Sequence, residues 1–403
     1  MIYTGKRILL GVTGGVAAYK AAELARRFIC AGAQVKVVMT RAAMEFVAPL
    51  TFQALTGEKV ATAMFGPAAE PLEHVSLGQE VDAIVVAPAT ADLIGKAAAG
   101  LGDDLLSTCL LAATKPVLLC PAMNVEMWRN PVVQENLNRL RARGVRVMEP
   151  ATGELACGAV GLGRLPEPES IMEAAARLLS PQDLAGKQML VTAGPTHEDC
   201  DPVRFLTNRS SGKMGYALAK VAWRRGAEVY LVSGPSVLPA PYGVERVWVR
   251  SAHEMLVAVR ERFAGADALL MAAAVGDYRP VSCELKKIKR GKGEVQIPLT
   301  QNPDILREMS GLKKKGQMLV GFAAETHDLE AEAQRKLKEK NLDFIVANDV
   351  TRQDAGFAVD TNQVTILSRE GEPLRLPLLS KEEVAEQILD RVAELLAARG
   401  KER

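Results

Sequence analysis

Three groups of residues in this 403-residue chain have the types and spacing to do chemistry. The first is the G-V-T-G-G turn at residues 11–15. Its glycines let backbone approach a phosphate, and a helix starting there offers unpaired N–H donors at a positive dipole end. The plainer alternative is a tight βα turn with no ligand. The second group is dispersed: His74 in L-E-H-V-S-L, a segment expected to be a loop, Asn124 in P-A-M-N-V-E-M-W, and Cys157 in L-A-C-G-A. A lone histidine is ordinarily a hydrogen-bonded structural residue, and a lone cysteine an inert thiol. The third group lies in the C-terminal half. S-S-G at 210–212 opens a helix and could cradle phosphate or merely cap it. Asp277 follows a buried apolar run, and N-P-D-I at 302–305 makes a polar turn. The basic run 286–290, K-K-I-K-R, is either a solvated loop or a loop that closes on a triphosphate. Lys336 and Lys340 share one helical face at i and i+4.

These groups need elements to hold them. In the first half, apolar runs at 7–12, 34–40, 82–87, 116–120 and 145–148 alternate with helical spacing, first at 17–30. Continuous apolar strands separated by helices predict a parallel sheet covered on both faces. Residues 151–168 are rich in glycine and proline without periodicity; a helix follows at 169–179 and a linker at 180–187. The same grammar then restarts. Strands are expected at 188–192, 228–233, 268–272, 318–322 and 344–347, with an edge element at 364–367. Helices are expected at 215–225, 253–263, 329–340 and 381–398. The chain is thus α/β throughout, with two Rossmann-like domains, at 1–185 and 186–403.

Composition narrows the function. Fifty basic residues sit among 48 acidic ones, which leaves no nucleic-acid footprint. No apolar run is long enough to span a membrane and no secretory signal is evident, so no membrane partner is expected. Six cysteines without a C-x-x-C pair suggest neither a metal site nor a disulfide framework, and a cytoplasmic location is expected. For the first glycine turn, G-x-x-G-G is not a dinucleotide fingerprint. The second strand ends in Thr40 and Arg41, with no carboxylate for an NAD ribose. Arg41 could serve an NADP phosphate, so a two-domain NADP-dependent oxidoreductase stays open. FMN fits better, its phosphate held by Thr40 and backbone groups.

G-x-x-G-G-x-A-A-Y-K (11–20), the His74 segment, A-P-A-T-A-D (87–92), P-A-M-N (121–124) and A-C-G (156–158), in this order, resemble the flavin-containing cysteine decarboxylases. The resemblance implies a flavodoxin-like parallel sheet whose FMN is held by Gly14, Gly15, Thr40, Pro88, Ala89, Thr90 and Ala91. It implies that His74 is the base or electrostatic partner, that Asn124 holds the substrate carboxylate, and that Cys157, on a flap, is the acid. Simple loss of CO₂ would leave an unstabilised carbanion. Oxidation of the thiol carbon by the flavin lets sulfur take up that charge.

D-P-V-R-F-L-T-N-R-S-S-G-K-M-G (201–215), A-A-A-V-G-D-Y-R-P (272–280), K-I-K-R, N-P-D-I, G-F-A-A-E-T and K-N-L-D-F-I-V-A-N-D resemble phosphopantothenate–cysteine ligase. The whole chain therefore resembles the bacterial bifunctional enzymes of coenzyme A biosynthesis. The resemblance implies ligation of L-cysteine to 4′-phosphopantothenate through an acyl-cytidylate, with CTP as co-substrate and Mg²⁺ to offset its charge. It places Met271, Ala272, Ala273, Asp277, Lys287, Asn302, Pro303, Asp304, Ile305, Phe322, Lys336 and Lys340 at CTP. It makes Asn208 and Lys287 catalytic and Arg204 a contact for the substrate phosphate; metal ligands stay unassigned. It also implies a homo-oligomer, with decarboxylase trimers and ligase dimers combining into a dodecamer.

Overall fold

The computed structural model describes residues 2–66, 72–154, 158, 160–289, 294–325, 328–349, 359–369 and 371–401. The chain divides into two compact units, Met1–Ser180 and Pro181–Arg403.

The first unit begins β1 (Arg7–Val12), α1 (Ala18–Cys30), β2 (Gln34–Met39), α2 (Arg41–Met44), α3 (Pro49–Thr56) and α4 (Glu73–Gln79). It continues with β3 (Ala83–Ala89), α5 (Ala91–Ala99), α6 (Leu105–Ala112), β4 (Val117–Pro121), α7 (Val125–Arg129) and α8 (Pro131–Ala142). It closes with β5 (Arg146–Val147), β6 (Ala151–Glu154), β7 (Val160–Arg164) and α9 (Pro168–Leu179). The sheet is all parallel in the order β2-β1-β3-β4-β5, the flavodoxin-like order. Because β3 is buried along its whole length, its sequence is a continuous apolar run rather than an alternating one. Helices α5, α6 and α8 pack Leu93, Leu106 and Leu137 onto Leu9, Ile84 and Val86. Helices α1 and α9 lie against one another and on the strands.

Two expectations are corrected here. Residues 151–168 are not featureless: β6 and β7 form an antiparallel hairpin in which Gly153 faces Gly161. A β-carbon on Gly161 would lie 2.9 Å from Val125 Cγ2, so this glycine, which helps hide the strand pattern, lets the hairpin lie against α7. His74 is not in a loop but on α4.

The second unit begins β8 (Gln188–Ala193), β9 (His197–Asp199), β10 (Phe205–Thr207), α10 (Lys213–Arg224), β11 (Glu228–Ser233) and β12 (Glu245–Trp248). Next come α11 (Ala252–Phe263), β13 (Ala268–Met271), β14 (Tyr278–Pro280), β15 (Leu299–Gln301), α12 (Ile305–Leu312) and β16 (Met318–Glu325). It ends with α13 (Leu329–Glu339), β17 (Phe344–Asp349), β18 (Thr361–Asn362), β19 (Val364–Ser368), β20 (Leu374–Arg375), β21 (Leu379–Ser380) and α14 (Lys381–Lys401). The main sheet runs β12-β11-β8-β13-β16-β17-β19-β20. Its first six strands follow the Rossmann order 3-2-1-4-5-6. The strand expected at an edge, β19, instead pairs antiparallel with both β17 and β20; the short return strand after Gly371 covers it. One face carries α10 and α14, the other α11, α12 and α13.

Arg225, at the end of α10, has a side chain only 2% exposed. It pairs with Asp183, with Asp390 at 2.7 Å and with Glu386 at 3.5 Å. This cluster fastens the start of the unit and α10 to α14. Arg225→Ala strands three carboxylates, and removing one partner of a buried pair costs about 3–5 kcal/mol. These acids keep some water, so the low end is expected. Urea unfolding followed by Trp223 and Trp248 fluorescence should show a clearly lower midpoint; an unchanged midpoint would contradict the assignment.

Candidate functional sites

In each sheet one pair of neighbouring strands sends its following helices to opposite faces, which opens a crevice beyond the strand ends. In the first unit that point lies between β1 and β3. A cavity of about 720 Å³ sits there, lined by Gly14, Gly15, Pro88, Thr90, Ala91 and Asn124 among others. That volume is within the ~300–1,000 Å³ range of small-molecule sites. Gly14 and Gly15 have different reasons to be glycine. A β-carbon on Gly14 would stand 2.4 Å from Ala42 Cβ, whereas one on Gly15 would meet nothing within 4 Å. Gly14 thus seats the turn against α2, and Gly15 leaves the backbone open beside the start of α1. Thr90 caps α5, accepting from Leu93 N–H. Asn124 caps α7, its Oδ1 accepting from Glu126 N–H at 2.8 Å, which fixes the amide at the cavity wall.

Thr13, which sequence reasoning passed over, ties the rim together. Its buried hydroxyl donates to Pro88 O at 2.8 Å and accepts from Thr90 N–H at 3.0 Å. The only signal was its place inside the glycine turn. Three expected residues lie elsewhere. Thr40 does not line the cavity, and its hydroxyl accepts from Ala43 N–H as the cap of α2. Ala89 is fully buried in β3. His74, on α4, is absent from the lining as well. Cys157 lies outside the described residues. Cys109 and Cys120 are core thiols, and Cys30 is exposed at the end of α1; burial pushes the Cys109 thiol up to about 12 and raises that of Cys120 as well.

In the second unit a cavity of about 500 Å³ opens beyond β13 and β16. All the residues expected at the nucleotide line it except Ala272 and Lys287. The loop after β13 is tightly held. Asn208 Nδ2 donates to Ala274 O and Val275 O at 3.2 and 3.1 Å. Asn302 Nδ2 donates to Gly276 O at 2.8 Å, and Asn302 N–H to Asp277 O at 2.8 Å. Thr192 Oγ1 accepts from Ala273 N–H at 3.1 Å and Thr196 Oγ1 from Gly276 N–H at 2.9 Å. Asp304 caps α12 and also pairs with Lys340 at 2.9 Å. One wall therefore carries Lys336 and an ion-paired Lys340, with half-buried Phe322 and apolar Ile345 available to a flat ring.

Lys287 is exposed on the segment after β14, and Arg290 lies outside the described residues. Arg204 is half exposed. Its guanidinium is engaged by Asp201 through Nε and Nη2, at 3.0 and 2.6 Å.

The geometry defines the class: a fused pair of α/β modules, one flavodoxin-like and one Rossmann-like, each with a small-molecule cavity beyond the ends of its parallel strands. Two family models match in the same order. "Flavoprotein" covers residues 2–180, and "DNA/pantothenate metabolism flavoprotein C-terminal domain" covers 184–396. The chain is 48% identical to the coenzyme A biosynthesis bifunctional protein CoaBC of Vibrio parahaemolyticus over 395 residues, covering 97% of this chain and 99% of that protein. It is 48% identical to the Bacillus subtilis CoaBC over 397 residues, 97% of each chain. The Escherichia coli CoaBC is 44% identical over 397 residues, 97% of this chain and 98% of that one. The chain belongs to the CoaBC family of bifunctional flavoproteins.

Thr13→Val keeps the shape but leaves Pro88 O and Thr90 N–H without this partner, at about 1–3 kcal/mol for each stranded group. Purified variant should carry much less flavin per chain than the parent protein by visible absorbance, with the second unit's unfolding unchanged. Full flavin retention would show that the tie does not shape the site.

Proposed function

We propose that the second unit joins L-cysteine to 4′-phosphopantothenate using CTP, and that the first unit decarboxylates the resulting 4′-phosphopantothenoylcysteine with FMN to give 4′-phosphopantetheine. The observation that carries this reading is the convergence of the expected nucleotide residues on one cavity and of the glycine turn, Pro88, Thr90, Ala91 and Asn124 on another. The alternative, an NADP-dependent oxidoreductase, finds no support in the matched families.

In the ligase unit, a carboxylate oxygen of 4′-phosphopantothenate attacks the α-phosphorus of CTP and pyrophosphate leaves. The cysteine amine then attacks the acyl carbon, an amide forms, and CMP leaves. Lys336 and Lys340 hold the phosphates, with Lys340 exchanging Asp304 for the nucleotide. Phe322 packs the base, and Asn208, oriented by Ala274 O and Val275 O, faces the reacting acyl group. Lys287 offsets developing charge. Mg²⁺ would be held mainly through the nucleotide's phosphates, the usual mode for this ion. Among the described residues no three acidic, histidine or cysteine side chains cluster as a metal site.

In the decarboxylase unit, the apolar side of the cavity would hold a flavin ring, and Gly15 with the first turns of α1 and α5 would hold its phosphate. FMN supplies reversible hydride acceptance at the thiol carbon, which lets sulfur carry the charge left by CO₂. Asn124 orients the departing carboxylate, and Cys157 returns the proton. His74 reaches the reaction only if a second copy of the chain brings its α4 to this cavity, which suits a trimer. Val16, Tyr19 and Met127 line the cavity yet are 60%, 62% and 48% exposed, as a surface awaiting a partner would be. The five described cysteines are free thiols, in keeping with a reducing cytoplasm.

Pyrophosphate release by the purified chain with Mg²⁺ should require CTP, 4′-phosphopantothenate and cysteine together, and ATP should replace CTP poorly. Release without cysteine at full turnover, or equal rates with ATP, would contradict the ligase reading as stated.

A further inference from the structure

The exposed segment bearing Lys287 has no regular structure, yet one of its residues is gripped on both backbone sides. Ile288 N–H donates to Asp201 Oδ2 at 3.1 Å, and Arg204 Nη2 donates to Ile288 O at 2.5 Å. Asp201 and Arg204 are themselves joined through both guanidinium donors. The other carboxylate oxygen, Oδ1, accepts from the N–H groups of Val203 and Arg204, each at 2.8 Å. The Asp201 side chain is 0% exposed and that of Arg204 51%. Burial pushes the Asp201 carboxyl up, but hydrogen bonds from Val203, Arg204 and Ile288 hold it well below the usual carboxylate range. It therefore stays an anion. Nearby, Glu284 N–H donates to Cys200 O at 3.0 Å. Among the described residues, no other hydrogen bond fastens residues 285–289 to the body of the unit.

A lysine that neutralises charge in a transition state acts only if it is delivered to one place. A loop without ladder partners does not provide that, since a misplacement of about 1 Å can cost 10²-fold in rate. Here the residue next to Lys287 is fixed by an ion pair that satisfies its donor and its acceptor together. The arrangement uses the fork of an arginine and both oxygens of a carboxylate, so neither Lys nor Asn could reproduce it.

We propose that Asp201 and Arg204 are positioning residues for amide formation: their ion pair clasps both backbone groups of Ile288 and so sets where Lys287 presents its ammonium. This rests on the ligase reading and on the role of Lys287 within it. It gives Arg204 a purpose other than contact with the substrate phosphate.

The test uses the full chain with Asp201→Asn and, because Asp201 is buried, separately with the half-exposed Arg204→Gln. Asn places an NH₂ or a single oxygen against several donors, which opens the clasp. With saturating substrates, kcat for amide formation should fall about tenfold or more, with KM for CTP nearly unchanged. Decarboxylation of supplied 4′-phosphopantothenoylcysteine should stay at the parent rate, and the Ile288 amide should exchange hydrogen faster. The decisive arm is a double-mutant cycle. In a Lys287→Ala background, measured by single turnover, opening the clasp should cost no more than about twofold further. A full additional loss there, or an unchanged kcat with the Ile288 amide released, overturns the clasp. Parent protein that forms no amide from CTP overturns the ligase reading itself, which the Lys287 cycle does not touch.

Discussion

Everything at the two cavities depends on hydroxyls that cross a topological switch point. Where neighbouring parallel strands send their helices to opposite faces, the loops beyond them have no sheet ladder to satisfy their backbone groups. In the first unit the Thr13 hydroxyl fills both needs, donating to Pro88 O and accepting from Thr90 N–H. The second unit meets the same constraint with two threonines on the first-strand side, Thr192 and Thr196, which hold Ala273 N–H and Gly276 N–H. All three side chains are buried, at 1% exposure or less, so each bond is shielded from competing water. One such bond contributes only about 1 kcal/mol net, but its loss in a dry crevice costs more.

The units differ in what they build on this frame. The first uses small residues: Gly14 brings the turn against Ala42, and Gly15 leaves backbone exposed to the cavity. That suits a cofactor held by main-chain donors and a helix start. The second uses side-chain amides and charges. Asn208 and Asn302 pin the loop after β13 from two sides, and Asp304 holds Lys340 ready at the wall. That suits a triphosphate, which arrives with its own charge and needs cations already in place.

The sequence displayed the sheets well because buried parallel strands are continuous apolar runs. It also displayed the wall of the second cavity, since Asp277, the N-P-D-I turn, Lys336 and Lys340 come from segments with distinct compositions. What it hid has physical reasons. The β6–β7 hairpin carries Gly161 where close approach to α7 leaves no room for a side chain and Gly153 where Arg164 crosses it, so no alternation survives. His74 sits on a seven-residue helix, too short to show a period. The Thr13, Thr196 and Asp201 contacts join residues about 75 to 87 positions apart, a distance over which a single sequence gives no pairing signal. Asp201 and Arg204 were conspicuous as a motif, but only their meeting with Ile288 gave them a task.

The account claims two independent sites, one needing a nucleotide and the other a flavin. The most direct test is the mass of the product made from 4′-phosphopantothenate, cysteine, CTP and Mg²⁺ by cofactor-stripped chain, before and after FMN is restored. The stripped protein should accumulate the amide acid, and FMN should convert it to a product lighter by one CO₂. Decarboxylated product without flavin, or no amide until flavin is added, would contradict the separation of the two sites.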